Sequence, residues 1–145
     1  MKALLQRVSE AAVVVADDTV GAIDEGLLVL VGVEPADDES TARRMVERLL
    51  NYRVFADDAG RMNCSLRDTG GGLLLVSQFT LAADTRKGNR PGFSTAAEPA
   101  AAEALFSRMV SMARQAHQPV ATGEFGAMMS VQLVNEGPVT FLLEV

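Results

Sequence analysis

This 145-residue chain has one cysteine, one histidine, and fewer basic residues than acidic ones, 13 against 19; each shortage closes off some chemistry. Cys64 has no partner within the chain, which excludes an intrachain disulfide and a secreted, disulfide-stapled scaffold. A lone histidine and a lone cysteine cannot make a His/Cys zinc site. A Ser-His-Asp or Cys-His pair would have to run through His117, which stands beside Pro119 at an expected helix end and reads as a surface or helix C-terminal residue. Cys64, between Asn63 and Ser65 in an expected loop, reads as a bystander. Long apolar runs are also missing. The longest uncharged stretch, Thr69 to Ala83, is broken by Gly, Ser, Gln and Thr and is too short for a bilayer. Met1 to Arg7 carries charge at both ends of a very short apolar run, unlike a signal peptide. The expectation is a soluble, cytoplasmic protein with no membrane partner.

A formal net charge of −6 argues against non-specific binding to nucleic acid, so no DNA partner is expected. It leaves room for a local basic patch. From Thr85 to Ala97 the chain carries Arg86, Lys87 and Arg90 and no acid; a solvated loop and a phosphate contact are both open readings. With 48% hydrophobic and 22% charged residues, the composition is that of one globular domain, residues 1–145, around a single core. The acidic pairs Asp17-Asp18, Asp37-Asp38 and Asp57-Asp58 fall between apolar runs, where they serve as turn or cap residues.

Apolar segments open the chain at Ala3–Val8, Ala12–Val15 and Leu27–Val33. The last is apolar on both faces and predicts a central buried strand. Punctuation at Asp17-Asp18 and Asp24-Glu25-Gly26 predicts an antiparallel meander. Ala42, Met45, Val46, Leu49 and Leu50 follow helical spacing, with Asp38 or Ser40 placed to cap the start. Tyr52–Phe55 is a short predicted strand, followed by a turn at Asp57–Gly60. Gly70-Gly71-Gly72 leads into a strongly apolar strand, Leu73–Val76. These glycines are no phosphate loop, because no Lys-Ser/Thr pair follows and they precede a strand; nor is there a Rossmann fingerprint. A second helix starts near Glu98-Pro99, with Leu105, Met109, Met112 and Ala116 on its apolar face, flanked by Phe106 and Ala113. Strands at Val120–Thr122, Met129–Val134 and Val139–Val145 close the chain. The order does not alternate regularly, so the class is α+β. Two helices cannot cover every strand edge of such a sheet, which favours a homodimer.

Two segments are unusual. Ser77-Gln78-Phe79-Thr80-Leu81 places hydroxyls and an amide at the end of a buried strand, where they either face a cleft or satisfy the strand's own terminus. Asn135-Glu136-Gly137-Pro138-Val139-Thr140 lies between two apolar strands, and its plainest reading is a tight hairpin.

Together these segments resemble the D-aminoacyl-tRNA deacylase (D-tyrosyl-tRNA(Tyr) deacylase) family. Ser77-Gln78-Phe79-Thr80-Leu81 matches its first signature and Asn135-x-Gly137-Pro138-Val139-Thr140 its second. Gln6-Arg7-Val8, Leu27–Val33 and Gly88-x-Arg90-Pro91-x-Phe93 are also similar, with Gly92 standing where serine is expected. The resemblance spans Met1 to Val145. It implies the family's fold, a small antiparallel β-barrel-like sheet with two main helices, in a homodimer with its active site at the subunit interface. It implies hydrolysis of the ester between a D-amino acid and the 3′ end of tRNA, with no cofactor and no metal. Ser77, Gln78, Phe79 and Thr80 would form the catalytic segment, with backbone N–H groups near Phe79 and Thr80 receiving the developing negative charge. Gly137 and Pro138, joined by a cis bond, would enter the partner's site, hold the substrate's α-ammonium and exclude the L-isomer by a clash, braced by Arg7. Phe125 and Met129 would line the adenosine slot, although ordinary core positions are the alternative. Arg86, Lys87 and Arg90 are candidates for tRNA phosphates. No base is visible to activate Thr80, so attack by water assisted by the substrate's 2′-hydroxyl is expected. Glycine on tRNA, lacking a side chain to clash, would also be cleared.

Two rival readings remain. One is a sister deacylase of relaxed chirality, which carries Pro-Gln-Ala-Thr where this chain has Ser77-Gln78-Phe79-Thr80. The other is a non-catalytic, dimeric RNA-binding module.

Overall fold

The computed structural model describes residues 1–145 and builds the chain around one long strand. β1, Lys2–Val15, has partners along both edges. On one edge lie β2, Asp18–Ile23, and β3, Gly26–Gly32, both antiparallel and in one register from Lys2 to Val13, with Ala12 opposite Ala22 and Gln6 opposite Leu28; the register shifts by one residue at Val14. The chain reverses between β1 and β2 at Ala16 and Asp17, whose φ values of 48° and 71° suit a two-residue turn. On the other edge lies β8, Ser130–Glu144, also antiparallel. β6, Gly72–Ser77, joins β3 in parallel, and β7, Val120–Thr122, joins β6 in parallel. The sheet then curls back on itself: a Cβ at Gly21 of β2 would collide with the Thr122 carbonyl of β7, so the absent side chain permits near closure. The α+β class and barrel-like sheet are as expected, but the sheet is mixed where an antiparallel one was expected, because β3, β6 and β7 pair in parallel.

Helices α1 and α3 cover one face. In α1, Glu39–Asn51, the Asp38 side chain accepts from the Thr41 N–H at 2.8 Å and the Thr41 hydroxyl completes a capping box. It buries Ala42, Met45, Val46, Leu49 and Leu50, the stripe read from the spacing. α3, Pro99–Ala116, buries Ala102, Phe106, Met109, Val110 and Ala113. The centre of this face is turned by about 75°, at 100° per residue, from that of the stripe expected through Leu105, Met109, Met112 and Ala116. The small Ala102 and Ala113 let the helix lie close on the sheet, leaving Leu105 and Met112 at the margin of the core. β3 and β6 are buried on both faces, which accounts for their unbroken apolar sequence. Leu27, Val29, Leu73 and Leu75 pack under the helices, while Leu28, Leu74 and Val76 fill the barrel with Val8, Val13 and Ile23.

Several expectations need correction. Ala3–Val8 and Ala12–Val15 are one strand, because β1 passes from the helix-side core at Leu5 to the barrel interior at Val8 and loses its simple alternation. The second strand is Asp18–Ile23, which opens on the exposed polar residues Asp18 and Thr19 and carries no continuous apolar run. β1 lies between β2/β3 and β8, so the opening is not a simple meander. Instead of a strand at Tyr52–Phe55, β4 is Phe55–Ala56, paired in a separate ribbon with β5, Met62–Cys64; Cys64 therefore ends a strand. The short helix α2, Leu66–Thr69, was not foreseen, although Ser65 and Asp68 form its capping box. Met129–Val134 and Val139–Val145 belong to a single strand, β8, and there is no hairpin between them. Of the acidic pairs, Asp17 lies in the turn, Asp38 caps α1 and Asp57 accepts from the Ala59 and Arg61 N–H groups. Asp37 closes a turn, its N–H donating to the Glu34 carbonyl at 3.0 Å and its carboxylate accepting from the Glu34 N–H at 2.7 Å, and it also holds the Met1 ammonium at 2.6 Å. No helix is long and apolar enough to cross a membrane.

Candidate active site

The parallel strands β3 and β6 lead into a cleft of about 700 Å³ that contains Val33, Val76, Ser77, Gln78 and Phe79. Its other walls are Ala97, the start of α3 at Pro99 and Ala102, and the segment from Phe125 to Val131. No charged side chain lines it. Phe125 packs against Phe106 of α3 with ring centroids 6.3 Å apart. Met129 lies over Gly123, where a Cβ would stand 2.7 Å from its sulfur. Its neighbour Met128 is 93% exposed at the same cleft. The structure thus brings Ser77, Gln78 and Phe79 together with Phe125 and Met129.

At the end of β6 the chain makes a 3₁₀ turn, Phe79–Ala82. The Gln78 N–H donates to the Val31 carbonyl at 2.7 Å, and the Leu81 N–H donates back to Gln78 at 3.2 Å. The first two N–H groups of the turn, those of Phe79 and Thr80, have no carbonyl partner within it. Gly32 is the seat of this turn: a Cβ there would meet the Leu81 Cβ at 2.9 Å and the Gln78 carbonyl at 3.2 Å. Thr80 is exposed and lies outside the cleft lining. Its hydroxyl accepts from the Gln78 side-chain amide at 2.6 Å, and no carboxylate, imidazole or amine is bonded to it.

The second signature is a bulge opposite Arg7. β8 pairs Thr140 with Gln6 and Asn135 with Val8, so Glu136 to Val139 loop out against one residue of β1. Asn135 closes the base of the loop, donating to the Thr140 hydroxyl at 2.9 Å and accepting from the Val139 N–H at 3.0 Å. Arg7 donates to the Glu136 carbonyl at 3.3 Å and to the Val54 carbonyl at 2.6 Å. The Gly137-Pro138 peptide bond is cis, and Gly137 takes φ of 122°, a value reserved in practice for glycine. Gly137 and Pro138 are exposed and do not line the cleft of their own chain. Arg7 borders a separate depression with Glu25, Phe55 and Glu136.

Between the turn and α3, Asp84 and Gly92 exchange backbone hydrogen bonds of 2.8 and 2.9 Å and fix the base of a loop. Arg86 grips the Asp84 carboxylate with two N–H groups at 2.8 and 2.7 Å. These hydrogen bonds hold the Asp84 carboxyl far below its usual range and raise Arg86. Of the three expected phosphate contacts, only Lys87 and Arg90 therefore keep free charge; both are exposed and have no ion-pair partner. His117 caps the end of α3 and its Nε2 lies 2.7 Å from the Gly71 carbonyl, a structural position.

The sequence reading missed Gly32, Gly123 and the packing of Phe93 on Phe79. Glycine spacing alone carries no sign of what lies above it, and the Phe79–Phe93 contact joins segments 14 positions apart at 5.1 Å.

Comparison with known proteins matches residues 4–144 to the family model for D-Tyr-tRNA(Tyr) deacylase. Proteins named D-aminoacyl-tRNA deacylase from Azotobacter vinelandii and Stenotrophomonas maltophilia are 65% and 67% identical, each match covering 99% of both chains. Among solved structures, c-Myc DNA Unwinding Element Binding Protein superimposes with a TM-score of 0.96 at 38% identity, covering 100% of this chain and 99% of that one. A probable eukaryotic D-amino acid tRNA deacylase, at 18% identity, shares the fold with a TM-score of 0.88, covering 99% and 98% of the two chains.

Proposed function

The chain belongs to the D-Tyr-tRNA(Tyr) deacylase family, and from that membership we propose that it hydrolyses the ester joining a D-amino acid to the 3′ end of tRNA. The observation that carries the reading is the uncharged cleft that ends at Ser77, Gln78 and Phe79. An apolar slot with Phe125 and Met129 in its wall suits a neutral adenosine, held by stacking and a sulfur contact. An aminoacyl ester is already activated by its α-ammonium group and the adjacent ribose hydroxyl, so the protein supplies orientation and a place for negative charge. The Phe79 and Thr80 N–H groups, without partners in the turn, serve as that place. Thr80 has no base to take its proton, so water attacks the carbonyl carbon with the substrate's 2′-hydroxyl assisting.

Chirality is set from a second subunit. Gly137 and Pro138 project from the bulge, and their carbonyl groups hold the α-ammonium in the partner's cleft, where an L side chain would strike the wall. The free edge of β8 and the exposed Leu133, Val134, Phe141 and Leu142 support a homodimer. Lys87 and Arg90 contact tRNA phosphates, with Arg86 acting through its clamp on Asp84. Glycyl-tRNA, with no side chain to clash, is also cleared.

The test is a deacylation time course on D-tyrosyl-tRNA and L-tyrosyl-tRNA at catalytic enzyme concentration. Rapid loss of the D-ester alone is expected. Loss of both overturns the chirality wall in favour of relaxed selectivity, and loss of neither by an intact dimer leaves a binding module.

A further inference from the structure

We infer that the exposed rings of Phe79 and Phe93 form a stacking platform for the nucleotide that precedes the terminal adenosine of the substrate. The inference rests on the tRNA-ester reading above. Phe79 and Phe93 are 54% and 45% exposed, yet their ring centroids lie 5.1 Å apart at an interplanar angle of 52°. Phe79 lines the cleft and Phe93 does not, so the pair extends an aromatic surface from the cleft outward.

The platform is held from both sides. Phe93 follows directly on Gly92, whose backbone is bonded twice to Asp84. Thr95 donates to the Ala82 carbonyl, and the Ala97 N–H to the Val33 carbonyl at 3.0 Å. Rings positioned in advance lose little conformational freedom when a base arrives. The loop supplies charge as well: Lys87 and Arg90 are exposed and unpaired, while Asp84, the nearest acid in sequence, is occupied by Arg86. Aromatic faces beside free cations bind single-stranded nucleic acid by base stacking and phosphate attraction.

The chemistry of the surroundings selects this occupant. Lys87 and Arg90 stand in the same loop as Phe93, so the aromatic faces come with exposed cations, the combination that a nucleic-acid strand requires. The 3′ end of tRNA is single-stranded. Once its last nucleoside and amino acid fill the cleft, the preceding nucleotide must emerge at the rim, where Phe79 and then Phe93 stand.

The experiment compares D-tyrosyl-tRNA with the D-tyrosyl ester of adenosine alone, which has no second base. Phe93→Ala is expected to raise KM for the tRNA substrate by about 5- to 150-fold, the loss expected for one base–aromatic stack. The same variant should leave kcat/KM for the adenosine ester unchanged. Phe93→Tyr should retain tRNA affinity, and Phe93→Leu, which keeps apolar bulk without a π face, should lose most of it. Unchanged KM in Phe93→Ala overturns the platform. So does an equal loss on both substrates, or a variant that sediments as a smaller species, since each assigns the ring to packing or assembly. Wild-type protein that cleaves neither ester overturns the tRNA-ester reading itself and the platform with it.

Discussion

Replacing Gly32 with alanine tests whether the site depends on the position of one short turn. The new Cβ would stand 2.9 Å from the Leu81 Cβ, 3.2 Å from the Gln78 carbonyl oxygen and 3.4 Å from the Ala82 nitrogen. Ordinary contact begins near 3.4 Å, so the Leu81 Cβ is about 0.5 Å too close. β3 cannot yield, because β1 and β6 are hydrogen-bonded to its two edges. The turn carrying Phe79 and Thr80 must therefore move. Reacting groups tolerate about 0.5 Å of misplacement, and about 1 Å costs on the order of 100-fold. The expected result is a fall in kcat of about 10- to 100-fold, with a stability loss of about 1–3 kcal/mol from overpacking. KM for the D-tyrosyl ester of adenosine should change little, because Phe125 and Met129 do not stand on the turn. Single-turnover deacylation of D-tyrosyl-tRNA measures the first effect and urea unfolding the second. Gly92→Ala is the control: its Cβ would find only Asp84 atoms at 3.8 and 3.9 Å. It should keep activity and gain about 0.4–1 kcal/mol. Full kcat in Gly32→Ala would refute the argument.

The remaining predictions follow from particular interactions. Thr80→Ala should keep deacylation within about tenfold, since its hydroxyl is engaged by Gln78 and lacks a base; loss to background in the time course would restore a covalent role. Exchanging Lys87 and Arg90 for glutamine should weaken tRNA binding and reduce the salt slope by about 0.7–0.9 for each phosphate left without its cation. Arg86→Gln should leave that slope unchanged, because its charge is matched by Asp84; an equal drop would refute the distinction. Hydrogen bonds hold Asp38, Asp57, Asp68 and Asp84 below the usual carboxylate range, from Thr41, Arg61, Ser65 and Arg86 respectively. The unfolded chain therefore takes up protons first as pH falls, so stability is fully present above the ordinary carboxylate range and is lost toward the depressed values. Urea midpoints at about pH 6 and pH 3 should show the fall, and equal midpoints would contradict it.

What was legible in the sequence follows how local each cause is. The α1 stripe is set within one helix and was read correctly, and of the two cap candidates the structure selects Asp38 over Ser40. The double-sided burial of Leu27–Val31 is written in an unbroken apolar run. β2 was missed because its first residues face solvent and gain their place by pairing with β1. The face of α3 was misjudged because alanine gives a weak hydrophobic signal, yet close packing favours it. Ser65, Leu66, Arg67 and Asp68 did carry a capping signature, so α2 was open to discovery. The candidate site divides the same way. Phe125, Met129 and Ser77 line one cleft and each was singled out in the sequence, whereas Gly32 acts through Leu81, 49 positions later, which no local pattern reveals.

The reading of Asn135 to Thr140 as a hairpin shows why the chemistry was hard to find by residue type. Asparagine and Gly-Pro signal a reversal of the chain, but the pairing partner decides. β1 continues past the site as one strand that pairs with β8 on both sides of Arg7, so β8 keeps its direction and expels Glu136 to Val139 instead. A bulge and the start of a 3₁₀ turn have one property in common: each releases main-chain groups from regular pairing. In the proposed reaction those groups do the work, N–H donors at Phe79 and Thr80 and carbonyl acceptors at Gly137 and Pro138. Side chains then matter through the backbone they shape, Gly32 by admitting the turn, Asn135 by closing the bulge and Arg7 by bracing it. A chain with one histidine and one cysteine can therefore carry an ester hydrolase site, because an activated ester demands placed dipoles more than a strong base.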